Sequence, residues 1–412
     1  MSKSVFSQEE AIKILQDVLK IKSINGNEKE VALYYQQLLK KHGIESQIVD
    51  YADKRSNLIA EISNGEGKTL GISGHMDVVH PGDEKEWSHP PFAAEIADGK
   101  LYGRGACDMK GGLTALILAM INLKESGQFK GKIRLLATVG EEIGELGSKQ
   151  LANKGYAKGI DAMLIAEPVN IAIMHAHKGS FNYTINSKGV NAHSSNPQAG
   201  VNAIENLMLG MNAIQEALQK VYADYKNDAM GKLVHSFTLI KGGSQINTIP
   251  DFAQVRANAR TIPEFDNKKL TELLEKIIEQ TNQKHQHCQL SLQVDDDMPV
   301  MEADKDTELV KLLLDVTKTS KYYDFDKNLK PIAEFVQEQV GSAEGLPSQL
   351  EAVALSGTTD AAQFYPANPD MDVAIFGPGF SPSAHKIDEY IEVQQYLDFI
   401  HLYGEVYEAY LK

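Results

Sequence analysis

At the start of the chain, Ala11, Leu15, Val18 and Leu19 recur at the three- and four-residue spacing that places them on one face, which predicts an amphipathic helix lying on a core. A second helix is predicted up to Gly43, with Asn27 and Glu30 spaced as a capping box at its start. The period then changes. "SQIVDY", "NLIAEI" and "KTLGISG" predict strands, "GGLTALILAMINLKES" a buried helix, "KIRLLATV" a strand, "ELGSKQLANKG" a helix and "DAMLIAEP" a further strand. Strands that alternate with helices imply an α/β unit with a mostly parallel sheet covered on both faces.

From Lys178 onward the order is different. "FNYTINSKG" alternates as a half-exposed strand, "GVNAIENLMLGMNAIQEALQK" has helical periodicity, "HSFTLIKGG" and "AQVRANART" predict paired strands, "KKLTELLEKIIEQ" a helix and "CQLSLQVD" a strand. The sequence β-α-β-β-α-β is that of a small ferredoxin-like α+β domain. The α/β pattern then resumes with a helix near Lys311, the strand "DVAIFGPG" and a last helix through Tyr396. The predicted organisation is an α/β domain in two parts, 1–177 and 295–412, with a satellite domain inserted at 178–294. A chain of 412 residues exceeds the size at which one core stops growing, in keeping with two domains.

Composition narrows the partners more than the fold. A formal net charge of -15 with no basic stripe opposes nucleic acid and anionic membrane surfaces. The opening "MSKSVFSQEEAIKILQ" lacks a signal-type apolar core and no apolar run has the length of a membrane span, so the expected location is the cytoplasm. Cys107 and Cys288 are the two cysteines, far apart in sequence. They make neither a disulfide framework nor a thiolate metal site, and a metal here must be held by His, Asp and Glu.

Such residues gather where the predicted strands end. His75 and Asp77 follow "KTLGISG", Glu141 and Glu142 follow "KIRLLATVG", Glu167 ends "DAMLIA", and His385 lies beyond "DVAIFGPG". Open α/β sheets bind ligands at this carboxyl edge. Asp108 joins them from the Gly-rich loop "GRGACDMKGG". Taken singly, each has a plain explanation as a polar strand exit or a helix start; jointly they point to a site. Two histidines and several carboxylates without thiolates suit zinc, cobalt or manganese. A lone catalytic zinc needs only three protein ligands, so five contributors suggest two metals sharing a carboxylate, for which Asp108 is the choice. In the pair Glu141-Glu142 one carboxylate can bind metal while the other takes a proton from water. Asp77 is spaced to hold the His75 ring. The chain contains no H-E-x-x-H, G-x-S-x-G or Walker loop, and Cys107 has no histidine partner that would make it a nucleophile.

The segments "SGHMDVV", "LYGRGACDMKGG", "ATVGEEIGELGS", "IAEP", "GVNAHSSNP" and "GPGFSPSAHKIDEYIEV" resemble, in order and over essentially the whole chain, the motifs of the M20 family of metallopeptidases and deacylases. The similarity is to the branch that contains succinyl-diaminopimelate desuccinylase and acetylornithine deacetylase. The fold this resemblance implies is a zinc-peptidase-like catalytic domain with a satellite that serves as lid and dimerisation domain. It implies that His75 and Glu167 complete one metal site and Glu142 and His385 the other, with Asp108 bridging, Asp77 orienting His75 and Glu141 as general base. It further implies a homodimer in which His193 of "NAHSS" reaches the partner subunit's site and stabilises an oxyanion. Asn247, Arg260, Gly357, Thr358 and Thr359 correspond to substrate-binding positions. Arg260 suits a carboxylate clamp, and is equally readable as a strand-surface arginine. Departures are Met76, Cys107, Asn258 and the form "SGTTD"; the first two leave the metals intact and the last two lie at the substrate end.

The implied activity is that of a metal-dependent hydrolase acting on linear amides. N-succinyl-LL-2,6-diaminopimelate is the first expected substrate, then acetylornithine or another N-acyl amino acid, then a dipeptide. A catalytically inactive relative acting as a binding module is the opposing expectation, and the complete ligand set with Glu141 argues against it.

Overall fold

The run "KTLGISG" folds as the strand Thr69–His75, buried over its whole length. In the computed structural model, which describes residues 4–412, this strand runs parallel to Gly131–Thr138 on one side and Ala162–Ile165 on the other. Asp372–Ile375 continues the parallel run beyond Ala162–Ile165. Burial on both faces is why these strands are written as continuous apolar segments. Antiparallel strands extend the sheet at both edges: Arg55–Asn64 and Ser46–Ala52 at one, Ile173–His177 and Met301–Glu302 at the other. The turn at Lys54, with φ 57, is too short for a crossover and joins the first two strands as a hairpin.

The helix Lys110–Ser126 is buried along nearly all of its length and ends at Gly127, φ 63, in the left-handed conformation that closes helices. It packs against Val393–Tyr410, whose Tyr407 hydroxyl donates to the Leu116 carbonyl at 3.3 Å. A Cβ at Gly112 would stand 2.2 Å from the Ala166 carbonyl oxygen, so only glycine lets this helix come so close to the end of the Ala162–Ile165 strand. That approach carries the start of the helix, and Asp108 before it, to the carboxyl edge of the sheet.

The first helix, Gln8–Lys20, buries the four predicted residues and begins with a capping box formed by Ser7 and Glu10. The box expected from Asn27 and Glu30 does not form. The Asn27 amide donates instead to the Lys22 carbonyl at 3.4 Å, and Glu28 turns inward to Arg55, whose Nε donates to Glu28 Oε2 at 3.0 Å. A buried carboxylate facing a guanidinium outweighs an exposed cap.

The second unit comprises Ala176–Glu302 together with Ala354–Thr358. It is wider than the expected 178–294 because Met301 pairs back onto His177, and the Lys178 N–H donates to the Leu355 carbonyl at 3.2 Å. Its four-stranded antiparallel sheet has the order Val234–Gly242, Phe252–Thr261, Gly179–Lys188, Gln289–Met298. The helices Ala203–Asp224 and Asn267–Lys284 cover one face, packing Leu207, Ile214, Leu270 and Leu274 with Phe181, Tyr183, Val255 and Ala257. The other face is polar. There Asn258 Nδ2 donates to Asn182 Oδ1 at 2.7 Å, and Asn182 Nδ2 donates to Asp296 Oδ2 at 2.9 Å, a ladder across three strands. Asn258, one of the departures in sequence, thus has a structural partner across the strand. Among the described residues no helix is long and apolar enough to cross a membrane.

Candidate functional site

Strand register brings the polar residues to one edge. His75 pairs with Thr138, Ser73 with Ile165 and Ile375 with Ile165, so the four parallel strands end almost level. His75 closes its strand; Glu141 and Glu142 sit on a short turn after Gly140; Glu167 follows Ala166; His385 stands in a loop at φ 63. Gly140 has φ 65, and a Cβ there would lie 2.6 Å from Arg55 Nη2, so the turn that presents the two glutamates requires glycine.

Asp108 is the centre of the arrangement. Its Oδ1 lies 3.1 Å from His75 Nε2 and its Oδ2 lies 3.2 Å from His385 Nε2. His385 Nε2 is also 2.8 Å from Glu142 Oε1, and His75 Nε2 is 4.0 Å from Glu167 Oε1. His75, Asp108 and Glu167 bring ligand atoms within 4.8 Å of one another; so do Asp108, Glu142 and His385, and likewise His75, Glu141 and Glu142.

The role expected of Asp77 divides in two. His75 Nδ1 lies 2.9 Å from the Asp77 backbone carbonyl, which can only accept, so Nδ1 carries a proton and Nε2 is turned toward Asp108. The Asp77 carboxylate is 3.7 Å from Nδ1 and is engaged elsewhere. It accepts the backbone N–H of Glu141 at 3.2 Å and of Glu142 at 3.3 Å. A carboxylate fully removed from solvent needs such donors, and the start of the glutamate turn supplies them. Asp77 thus orients His75 through its main chain and the glutamate pair through its side chain.

Charge is the dominant feature. Burial lowers the basicity of His75, but the Asp108 hydrogen bond and the charges of Glu167, Asp77 and Glu141 outweigh it and hold the imidazole well above the usual histidine range. Hydrogen bonds to Asp108 and Glu142 raise His385 to about 10. Loss of surrounding water, with repulsion from neighbouring carboxylates, pushes Glu141 and Glu167 well above the carboxylate range. Asp108 is lowered, since its bonds to His385 and His75 overcome burial. Glu167 Oε1 is buried and has no hydrogen-bond partner. Divalent cations would engage these oxygens and nitrogens together, the unpartnered Glu167 Oε1 included, so the donor set fits metal.

All but one of the other expected site residues lie in the second unit. His193 is exposed on the short strand Ala192–His193, its Nδ1 2.7 Å from Ser195 Oγ. This strand pairs with Thr248–Ile249, and the Ser194 N–H donates to the Asn247 carbonyl at 3.0 Å, so the His193 and Asn247 segments are neighbours. Arg260 lies on the polar face of the sheet, and its charge adds to the burial that lowers His177 to about 4. Gly357 has open space around it, and Thr358 Oγ1 is 3.8 Å from Met298 Sδ. Thr359 belongs to the first unit and is buried.

Asp360 closes the "SGTTD" stretch expected at the substrate end, whereas Arg104 and Glu389 carried no individual signal in the sequence. Asp360 is buried beside the cluster, its carboxylate accepting from the Thr138 hydroxyl. Arg104 and Glu389 form a buried ion pair next to Asp108. Both sit inside motifs singled out above, as the Arg of "GRGACD" and the Glu of "KIDEY", but a charged residue inside a motif shows its partner only once the chain is folded.

The chain is similar over nearly its whole length to known proteins. A protein of Staphylococcus epidermidis, "probable succinyl-diaminopimelate desuccinylase", is 35% identical over 99% of this chain and 100% of its own length. A Staphylococcus aureus protein of the same description is 37% identical, with 99% of each chain covered. Among solved structures, an M20 family metallo-carboxypeptidase of Sulfolobus solfataricus superposes with a TM-score of 0.76 at 19% identity, covering 97% of this chain and 99% of that one. A Bacillus subtilis protein described as a dinuclear metal binding peptidase from the M20 family gives 0.65 at 17% identity, with 98% of each chain covered. The family model of Peptidase family M20/M25/M40 matches residues 71–409, and the chain belongs to that family.

Proposed function

We propose that this chain is a two-metal amidohydrolase that removes the succinyl group from N-succinyl-LL-2,6-diaminopimelate. The observation that carries the metal part is Asp108, whose two oxygens face two different imidazoles. The substrate is supported by full-length relatives described as probable desuccinylases of that compound. His75, Asp108 and Glu167 would hold one ion, and Asp108, Glu142 and His385 the other. Zinc suits these ligands best, with cobalt or manganese as alternatives. When bound, such ions polarise a carbonyl and make water a stronger nucleophile at neutral pH.

The chain's own groups do the rest. Glu141 accepts a proton from the attacking water as its oxygen bonds to the amide carbon. Glu141 then delivers that proton to the leaving nitrogen as the C–N bond breaks, which frees succinate and diaminopimelate. His193 would donate to the developing oxyanion from the partner subunit, Arg260 would clamp a substrate carboxylate through its guanidinium fork, and Asn247, Gly357, Thr358 and Thr359 would complete the pocket. The enzyme would act in the cytoplasm, where free thiols such as Cys107 and Cys288 persist.

The test is amine release from N-succinyl-diaminopimelate, N-acetylornithine and several dipeptides, using chelator-stripped protein reloaded with zinc, cobalt or manganese. Preference for the succinylated compound is expected. Preference for dipeptides would reassign the substrate, and no hydrolysis with any metal would favour a binding module.

The dimer has its own support in the second unit. Val234–Gly242 is an edge strand that exposes Val234, Leu239 and Ile240, the last at 64%. Beside it a 260 Å³ hollow is lined by Ile204, Met208 and Ile240. An apolar edge of this kind suits pairing with another chain. The substitution Ile240→Glu is expected to give monomers in light scattering. Turnover should then fall about 10²–10³-fold, the cost of one oxyanion donor, with metal content unchanged. A variant that remains dimeric would place the interface elsewhere.

A further inference from the structure

Asp108 and His385 come from distant parts of the chain, yet their side chains meet within 3.2 Å. Neither sits on a regular element that would fix the distance. Asp108 lies in the loop before the buried helix, and His385 lies in a loop where it and Asp388 both have positive φ. Holding two such loops in register requires direct ties between them.

Those ties converge on Glu389, which is completely buried. Its Oε1 accepts the backbone N–H groups of Gly105, Cys107 and Asp108, each at 3.0 Å, so the loop before the helix wraps around a single carboxylate oxygen. Its Oε2 accepts from Arg104 Nη1 at 2.5 Å. The other arm of the same guanidinium, Nη2, donates to the His385 carbonyl at 3.3 Å, and the guanidinium carbon stands 5.2 Å over the Trp87 ring. Asp388 Oδ1 accepts the N–H groups of Ser88 at 2.9 Å and His89 at 3.2 Å, which pins the middle of the His385 loop.

We infer that the buried Arg104–Glu389 pair is a positioning device for the metal centre: Glu389 sets the Asp108 loop, and Arg104 ties the His385 loop to it. Neither residue touches the reacting atoms. The inference rests on the two-metal reading above and adds an asymmetry to it. The ion held by Glu142 and His385 depends on Arg104, whereas the ion held by His75 and Glu167 takes its histidine from a buried strand that needs no such tie.

The chemistry of the pair makes the test selective. Lysine at 104 keeps the charge toward Glu389 but has no second arm for the His385 carbonyl. Glutamine at 389 has no satisfactory orientation, because its NH₂ must face either the three backbone N–H groups or the guanidinium. Chelator-stripped parent, R104K, E389Q and H385A are to be dialysed against buffered zinc, with bound metal counted, and titrated with cobalt while the visible absorption is followed. The parent should retain two ions. R104K should retain one at zinc concentrations where the parent holds two, as H385A does, with the second cobalt equivalent bound about 10–100-fold more weakly and its absorption change displaced. E389Q should weaken both equivalents.

A pair that merely stabilises the fold would lower the thermal midpoint and leave the ratio of the two binding constants unchanged, and that result overturns the inference. Should E389Q fail to fold, R104K alone decides. A parent that binds fewer than two ions would instead remove the two-metal reading, a failure distinct from this one.

Discussion

Glu141→Gln is expected to lower kcat for the preferred amide by about 10²–10⁴-fold, the usual worth of a general base, while bound metal stays at two per chain. The geometry makes this substitution clean. The turn that carries Glu141 is held through its backbone, by the Asp77 carboxylate accepting the Glu141 and Glu142 N–H groups, so the side chain can change without releasing the turn. Gln matches Glu in size but cannot take the proton from water. Glu142, which faces His385, is untouched. Counting bound metal alongside steady-state kinetics separates the two contributions, since a loss of base lowers kcat and leaves stoichiometry alone. Full turnover in the variant would remove Glu141 from its role.

Asp108→Ala is expected to be at least as damaging for a different reason, because it should strip both ions. Oδ1 serves the His75 side and Oδ2 the His385 side, so one substitution takes an acceptor from each. His385→Ala takes a ligand from one side only. Equilibrium dialysis against limiting zinc should therefore find no tightly held ion in D108A, one in H385A and two in the parent, with turnover undetectable in D108A. A single retained ion in D108A would mean that Asp108 serves one metal and does not bridge. The alanine variant also leaves two imidazoles facing an acidic cluster without their shared partner. Its thermal midpoint should be compared with the metal-free parent to separate lost metal from lost packing.

Much of the architecture was legible before folding because burial leaves a local imprint. The parallel strands appear as continuous apolar runs and the helix Lys110–Ser126 as an apolar stretch without a polar face, since both are enclosed. The satellite declared itself through its alternating strands, of which Gly179–Lys188 buries Phe181, Tyr183 and Ile185 on one side. Other features were not legible. Asn27 and Glu30 have the spacing of a capping box, but Glu28 is drawn inward by Arg55, a partner far along the chain. The helix Phe325–Val340 contains Pro331, which locally argues against a helix, and it buries only Asn328 and Ile332, so its sequence carries little of the burial imprint.

The sequence alone determined which residues could serve as donors and that strand ends would deliver most of them to one edge, because side-chain chemistry and hydrophobic period are properties of short segments. The tertiary structure decided which oxygen faces which imidazole. It also decided that the Asp77 carboxylate serves the glutamate turn, and that Arg104 and Glu389 bind the Asp108 and His385 loops together. Those facts are distances between groups widely separated along the chain. Packing and buried hydrogen bonding set such distances, and no local pattern of residues encodes them.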